Sequence, residues 1–254
     1  MQLTIVIPTF NEAEDLPGLI TALLALPLDL RIQVIDDSSR DGTGQIADQI
    51  AKKEKRVQVS HRERKFGFGS ATLSGFQMAL QSGSEAVLQM DADFSHDPGA
   101  IPAMLQLLKS SDAVFGSRYV AGGSLDIHWP RWRRALSAFG NYYARAILQL
   151  QVKDVTTGFR LWRRDTLLGM PLERIQSNGY VFQVEMTYLA TCLNYKIAEL
   201  PIYFQDRRSG KSKMSFTIQA EAALRVWSVL WSYRHLRAAH SQPPHGSAAG
   251  GGSG

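Results

Sequence analysis

The chain has 254 residues, 44% of them hydrophobic and 20% charged, with a net charge of +5 and a sequence pI near 9.4. That length suffices for one large core or two small ones, and a single cysteine, Cys192, excludes an internal disulfide framework and fits a reducing compartment. No uncharged apolar run reaches the roughly 18 residues that a membrane span needs, and residues 1–10 read as a strand rather than a secretion signal.

Leu3–Ile7 is a short apolar run stopped by Pro8, the pattern of a buried strand. A helix opening at Asn11 or Glu12 follows, with Leu16, Leu19, Ile20, Leu23 and Leu24 on one face. Ile32–Ser39 is a second strand that ends in acids, and residues 41–53 a second helix for which Asp41 is the expected cap. Val57–His61 is a third strand, and residues 67–83 a glycine-rich turn entering a third helix. A fourth strand over 85–93 ends in Asp91 and Asp93; a helix over 98–110 and a strand over 112–119 complete this half. Such alternation predicts a parallel sheet with helices on both faces, and in such sheets ligands bind at the carboxyl ends of the strands. Glu12, Asp36, Asp37, Asp91 and Asp93 all fall on that rim. Two carboxylates one residue apart repel, and a metal ion, a cationic substrate or water at the strand end would each relieve them.

After Val120 the pattern changes. A loop rich in Gly, Trp and Arg (121–134) leads to a helix from about Arg134 to Leu150, with Leu136, Phe139, Tyr143, Ala146 and Leu150 at helical spacing. Residues 154–165 are assigned no element, 179–194 read as helix, 196–207 as strand, and 210–215 as loop. A last helix carries Phe216, Leu224, Trp227, Leu230 and Trp231, and the Pro/Gly/Ser/Ala tail from Ser241 reads as disordered or as a cloning remnant. The basic excess sits in His61–Lys65, Arg131–Arg134 and Arg207–Lys213, which suits nucleic acid, acidic lipid or a phosphorylated substrate. Nucleic acid fits poorly, because the rim acids would repel it and no binding signature is present.

The motifs "IVIPTFNEAEDL", "IDDSSRDGT", "MDADFSHDP" and "GSRY" resemble the nucleotide-sugar half of inverting GT-A glycosyltransferases. "RRALSAFGN", "DVTTGFRLWRRD", "GYVFQVEM" and "DRRSGKSKM" resemble the dolichol-phosphate mannose synthase group of polyprenyl-phosphate glycosyltransferases, in order across residues 3–235. The resemblance implies an α/β fold of GT-A type with a mainly parallel sheet and amphipathic membrane-interface helices. It implies one catalytic domain over 1–236, with a donor half to about residue 120 and an acceptor and lipid half beyond it. It further implies inverting transfer of a hexosyl group, mannose from GDP-mannose above all, to a polyprenyl (dolichyl-type) monophosphate, with a UDP-sugar as the alternative donor. The protein would act as a peripheral enzyme on the cytoplasmic face of a membrane, with no nucleic-acid partner.

By the same resemblance, Mg2+ or Mn2+ would sit on Asp91, Asp93 and Ser95, the last standing where relatives often carry Gln; Ser95 could instead cap the following helix. The nucleotide sugar would meet Pro8, Phe10, Glu12, Ile35, Asp37, Asp91, Ala92, Asp93, Arg118, Arg207 and Lys213. Phe10 replaces a Tyr of some relatives and keeps its stacking face. The acceptor phosphate would meet Arg118, Arg133, Ser137 and Arg207, and the catalytic set would be Asp93, Arg118, Arg207 and Lys213. A phosphate monoester is already ionised near neutrality, so it needs cations rather than a general base. Asp154 either contacts sugar hydroxyls or organises the site through Arg160, and Gln183 and Glu185 pose the same alternative. Trp129, Trp132, Trp227 and Trp231, with Arg225, Arg234 and Arg237, either meet a membrane surface or pack into the core.

Overall fold

The computed structural model describes residues 1–206 and 216–240. In chain order the strands are β1 (Leu3–Thr9), β2 (Leu30–Asp36), β3 (Val57–His61), β4 (Ala86–Gln89), β5 (Ala113–Ser117), β6 (Ser124–Leu125), β7 (Arg160–Arg163), β8 (Ile197–Pro201) and β9 (Tyr203–Phe204). The helices are α1 (Leu16–Leu24), α2 (Thr43–Lys53), α3 (Phe68–Gln81), α4 (Ile101–Leu108), α5 (Arg131–Leu148), α6 (Arg164–Gly169), α7 (Gly179–Cys192) and α8 (Phe216–His240). Seven strands form one sheet in the order β3-β2-β1-β4-β7-β5-β8, and β6 pairs with β9 in a separate parallel ribbon.

All seven residues of β1 are buried, as a central strand covered on both faces requires. Successive side chains point to opposite faces, so β1 feeds two cores. Leu3, Ile5 and Ile7 pack with α1 and α4, whereas Val6 packs with α3, α5, α7 and α8. Gly75 makes the second layer close: a Cβ there would come within 2.3 Å of Val6 Cγ1. Among the described residues no helix is long and apolar enough to cross a membrane.

Three elements depart from the sequence reading. Residues 160–163 are a strand, β7, inserted antiparallel between β4 and β5, so the fourth and fifth strands of the sequence are not neighbours. α1 starts at Leu16 rather than at Asn11 or Glu12, because Asn11 takes a left-handed backbone (φ 59°). α5 starts at Arg131, immediately after Pro130, earlier than the periodicity implied.

The helix faces differ as well. Among the described side chains of α8, Val226, Val229 and Tyr233 are buried, while Leu224, Trp227 and Trp231 are exposed. On α5, Asn141, Ala144 and Leu148 are buried and Trp132, Phe139 and Tyr142 exposed.

Candidate active site

The carboxyl ends of the central strands open into one cavity of about 560 Å³. Pro8, Phe10 and Glu12 reach it from β1, Asp37 from β2, and Asp91, Ala92 and Asp93 from β4. Three residues just past these strand ends hold left-handed backbones: Asn11 (φ 59°), Ser38 (φ 65°) and Phe94 (φ 58°). Such a conformation costs a bulky residue about 1–2 kcal/mol; its repetition around one rim marks where backbone geometry serves a site.

Side chains stitch the rim together. Asn11 N–H donates to Ser39 Oγ (2.9 Å) and Glu12 N–H to Thr43 Oγ1 (2.9 Å), while Arg40 N–H donates to Asn11 Oδ1 (2.9 Å). Asp41 accepts from Thr43 N–H and the Thr43 hydroxyl on one oxygen and from Ala13 N–H on the other. The cap position of α2 is Gly42, so Asp41 ties the β1–α1 turn to the start of α2 rather than occupying that position.

Asp37, expected to accept from a base, is 3% exposed. Its Oδ1 accepts from Arg62 Nη1 (2.9 Å) and Phe66 N–H (3.0 Å), and its Oδ2 from Gly67 N–H (2.7 Å). It thereby anchors the loop that carries Lys65, whose ammonium lies 3.6 Å from the Phe10 ring centroid. Ile35 is fully buried in the core and is not part of the cavity wall.

Asp93 Oδ1 accepts from both the backbone N–H (3.1 Å) and the hydroxyl (2.6 Å) of Ser95. Ser95 is 1% exposed and is not a wall residue; the cap of the next helical turn is Asp97, whose Oδ1 accepts from Gly99 N–H. Asp97 rather than Ser95 therefore caps this turn, and Ser95 orients Asp93 through its N–H and hydroxyl. Asp91 N–H donates to His96 Nδ1 (3.3 Å), which leaves the imidazole proton on Nε2, and burial pushes the His96 pKa down. Gly158 allows this packing: a Cβ there would lie 3.2–3.4 Å from both Asp91 carboxylate oxygens and His96 Cε1.

Among the described residues no three His, Cys, Asp or Glu side chains are grouped to hold a metal. Of the wall carboxylates, Asp91 and Asp93 stand together past the end of β4. A hard divalent cation that keeps waters and shares phosphate oxygens with its substrate asks for one or two carboxylates, so these residues fit Mg2+ or Mn2+ in the company of a diphosphate.

The arginines differ most from expectation. Arg118 Nε and Nη2 donate to Asp154 (2.7 and 2.8 Å), and Nη2 also donates to Thr156 Oγ1 (2.7 Å). Burial opposes both charges, but the pair outweighs it: the Asp154 pKa is lowered and that of Arg118 raised. Asp154 therefore works through Arg118, not Arg160. The Arg160 guanidinium, fully buried, donates instead to the carbonyls of Thr157, Gln183 and Val155, and burial lowers its pKa to about 9 against the attraction of Asp154.

Arg118, Arg133 and Ser137 do fall into one neighbourhood, linked by aromatic rings. The Arg118 guanidinium lies against Tyr119 and Phe204, the Tyr119 and Ser137 hydroxyls are 3.0 Å apart, Trp129 meets Phe204 edge-on, and Arg133 lies over Trp129 while donating to Asp206 (3.2 Å). Trp129 is thus a packing residue, 8% exposed, rather than a surface one. Arg207 and Lys213 lie outside the described residues. Glu185 accepts from the Tyr233 hydroxyl (2.8 Å) and from Ser177 N–H (3.0 Å) and holds α8 against α7.

Wall residues that sequence reading passed over include Lys65, Thr156, Asn178, Tyr180 and, from α8, Arg225. Lys65 was hidden in a charge run that reads as a solvated face, and Arg225 among cations assigned to a lipid surface. Among the described residues the wall carboxylates are Glu12, Asp37, Asp91 and Asp93, all at strand ends; Asp154 and Glu185 are not part of it.

Residues 4–168 match the profile of Glycosyl transferase family 2. The chain is 40% identical over 240 residues to the undecaprenyl-phosphate mannosyltransferase of Micrococcus luteus, covering 94% of this chain and 98% of that one. It is 39% identical over 230 residues to the polyprenol monophosphomannose synthase of Mycolicibacterium smegmatis, covering 89% and 86%. The crystal structure of mannosyl-3-phosphoglycerate synthase from Rubrobacter xylanophilus superposes with a TM-score of 0.66 at 18% identity, over 96% of this chain and 77% of that one, a likeness of fold.

Proposed function

Because this chain belongs to glycosyl transferase family 2, we propose that it moves a mannosyl group from GDP-mannose onto a polyprenyl monophosphate, with inversion at the anomeric carbon. The names of the two relatives support the mannosyl and polyprenyl-phosphate parts of this reading. The observation that carries the chemistry is the distribution of carboxylates. Those on the wall sit at the strand ends where the nucleotide and its diphosphate belong, and the two acids further along the chain are engaged by Arg118 and by Tyr233.

An alcohol acceptor would need a base; a phosphate monoester, with its second pKa near 6, does not. A phosphate oxygen of the acceptor attacks the anomeric carbon from the face opposite the nucleotide. The bond from that carbon to the diphosphate oxygen breaks, and GDP leaves with the electron pair. A divalent cation bound at Asp91 and Asp93 would neutralise the charge growing on the leaving diphosphate. Asp93, oriented by Ser95, holds its oxygen in place for that role. Phe10 offers a ring face to the nucleoside and Glu12 an acceptor for ribose hydroxyls. Lys65, which lies over that ring, must move aside for a base to stack there.

The acceptor phosphate belongs with Arg133, Ser137, Arg207 and Lys213. The Arg133–Asp206 pair is partly exposed and its loss costs little, so a phosphate can replace Asp206 as the partner. Arg118 contributes from its pair with Asp154.

The lipid reaches Arg133 and Ser137 along α5 and α8. Trp132, Phe139 and Tyr142 on α5 and Leu224, Trp227 and Trp231 on α8 are exposed. The two helices meet where Trp227 Nε1–H donates to the Tyr143 hydroxyl (3.1 Å), which donates in turn to Ala223 O (3.2 Å). Exposed Arg131, Arg134, Arg225 and Arg234 accompany the stripe. Aromatic rings beside cations suit an anionic bilayer surface, and the enzyme would work peripherally on the cytoplasmic face, in keeping with a single unpaired cysteine.

The test is incubation of the purified protein with Mg2+ or Mn2+, polyprenyl phosphate and a panel of labelled nucleotide sugars. Transfer from GDP-mannose in preference to UDP-sugars is expected; transfer from a UDP-sugar alone would overturn the donor assignment.

A further inference from the structure

Asp154, Gln183 and Glu185 share one alternative, contact with a sugar or support of the site. Asp154 and Glu185 have protein partners. Gln183 differs. It stands on α7, is 2% exposed, and belongs to the cavity wall, yet neither its amide oxygen nor its amide nitrogen has a hydrogen-bond partner. An unpaired buried amide is destabilising, and native proteins retain one where it has a use.

The backbone beneath it is fixed. Gln183 O accepts from Arg160 Nη1 (2.7 Å) and from the Thr187 hydroxyl (2.8 Å). Arg160 also holds the carbonyls of Val155 and Thr157, just before Gly158, which lies against Asp91. Gln183 is therefore braced, through Arg160, to the segment that packs against Asp91.

Resting on the glycosyltransferase reading above, we propose that Gln183 is a specificity-determining residue that binds two neighbouring hydroxyls of the hexose being transferred. One hydroxyl donates to Oε1 and the next accepts from Nε2–H. A vicinal diol matches a carboxamide because every hydroxyl is both donor and acceptor. A site built this way discriminates strongly against a sugar that lacks one of the two groups.

The ribose of the nucleotide carries a vicinal diol as well, so the experiment separates the two. Calorimetric titration of the full chain with GDP and with GDP-mannose is compared for wild type, Gln183→Leu and Gln183→Asn. Gln183→Leu should bind GDP within about twofold of wild type and GDP-mannose about 10- to 100-fold more weakly, the loss expected for one or two hydrogen bonds. Its melting temperature should not fall, since an apolar group replaces an unpaired amide.

Equal weakening of GDP and GDP-mannose would assign Gln183 to the ribose or to the wall, and unchanged GDP-mannose affinity would remove it from recognition; either overturns the proposal. If Gln183→Leu does not fold, Gln183→Asn and wild-type titration with 2-, 3-, 4- and 6-deoxymannosyl donors decide. Two neighbouring deoxygenations should each weaken wild type and not Gln183→Asn, and no loss from any of them overturns the proposal. Failure of wild type to bind any nucleotide sugar would contradict the family reading itself, and the proposal with it.

Discussion

Asp93 and Asp154 are both buried acids, and their partners give them opposite uses. Asp93 accepts from the Ser95 hydroxyl and belongs to the cavity wall, where the proposed metal and diphosphate would meet it. Asp93→Asn should lower kcat/KM by at least about 100-fold with little change in unfolding midpoint, and chelation of wild type should produce the same loss, reversed by Mg2+ or Mn2+. Asp154 is spent on Arg118. Removing one partner of a buried pair leaves the other charge uncompensated, so Asp154→Ala should lose about 3–5 kcal/mol in urea unfolding. Because the folded pKa of Asp154 is lowered, its contribution is present above the unfolded value of about 3.9 and disappears as pH falls below it. The acid limb of the wild-type stability curve below about pH 4 should accordingly be shallower in Asp154→Asn. The rim acids were legible in the sequence because strand ends and charge are both local features. The partner choices were not: Arg118 and Arg160 are equivalent on paper, and the assignment of Asp154 to Arg118 comes from their direct hydrogen bonds, with Arg160 seated on three carbonyls instead.

At the level of elements, the sequence pattern located most strands and helices, some with buried polar side chains such as Gln183 and Glu185 on α7, and missed β7. β7 escaped because its four residues, RLWR, begin with an arginine that reads as solvent-facing and is fully buried. On α8 the tryptophans left two alternatives open, a membrane surface or the core; among its described side chains Val226, Val229 and Tyr233 provide the packed side and Trp227 and Trp231 are exposed. Tyr233 also joins α8 to α7 through Glu185, a link between residues 48 apart that no local pattern announces. Tyr233→Phe should destabilise by about 1–3 kcal/mol, because it leaves a buried carboxylate oxygen short of a donor, and should lower the melting temperature by several degrees. Since Arg225 belongs to the cavity wall on the same helix, the affinity for the lipid acceptor should fall in that variant while GDP affinity is retained, as paired titrations would show.

Across the whole molecule the charge and the apolar stripe point the same way. A chain of net charge +5 that exposes Trp132, Trp227 and Trp231 on two adjoining helices should sediment with vesicles containing anionic lipid, less so in high salt. Replacing Trp132 and Trp227 by Ser should weaken this several-fold and Trp129→Ser should destabilise the fold instead, a contrast measured by co-sedimentation alongside thermal melting. The order of motifs made the overall architecture legible, since alternation of strand and helix fixes a doubly covered sheet; the inserted antiparallel strand and the exposed stripe required coordinates, because both depend on what lies across the molecule rather than along it. In the proposed reaction the acceptor's own phosphate is the nucleophile. The direct measurement is the initial rate with polyprenyl phosphate and with the corresponding free polyprenol, from pH 5 to 8, with GDP-mannose and Mg2+ or Mn2+. The phosphate should be glycosylated at a rate that rises through about pH 6 and then levels off, and the free alcohol should yield no product; efficient mannosylation of the alcohol would contradict the account.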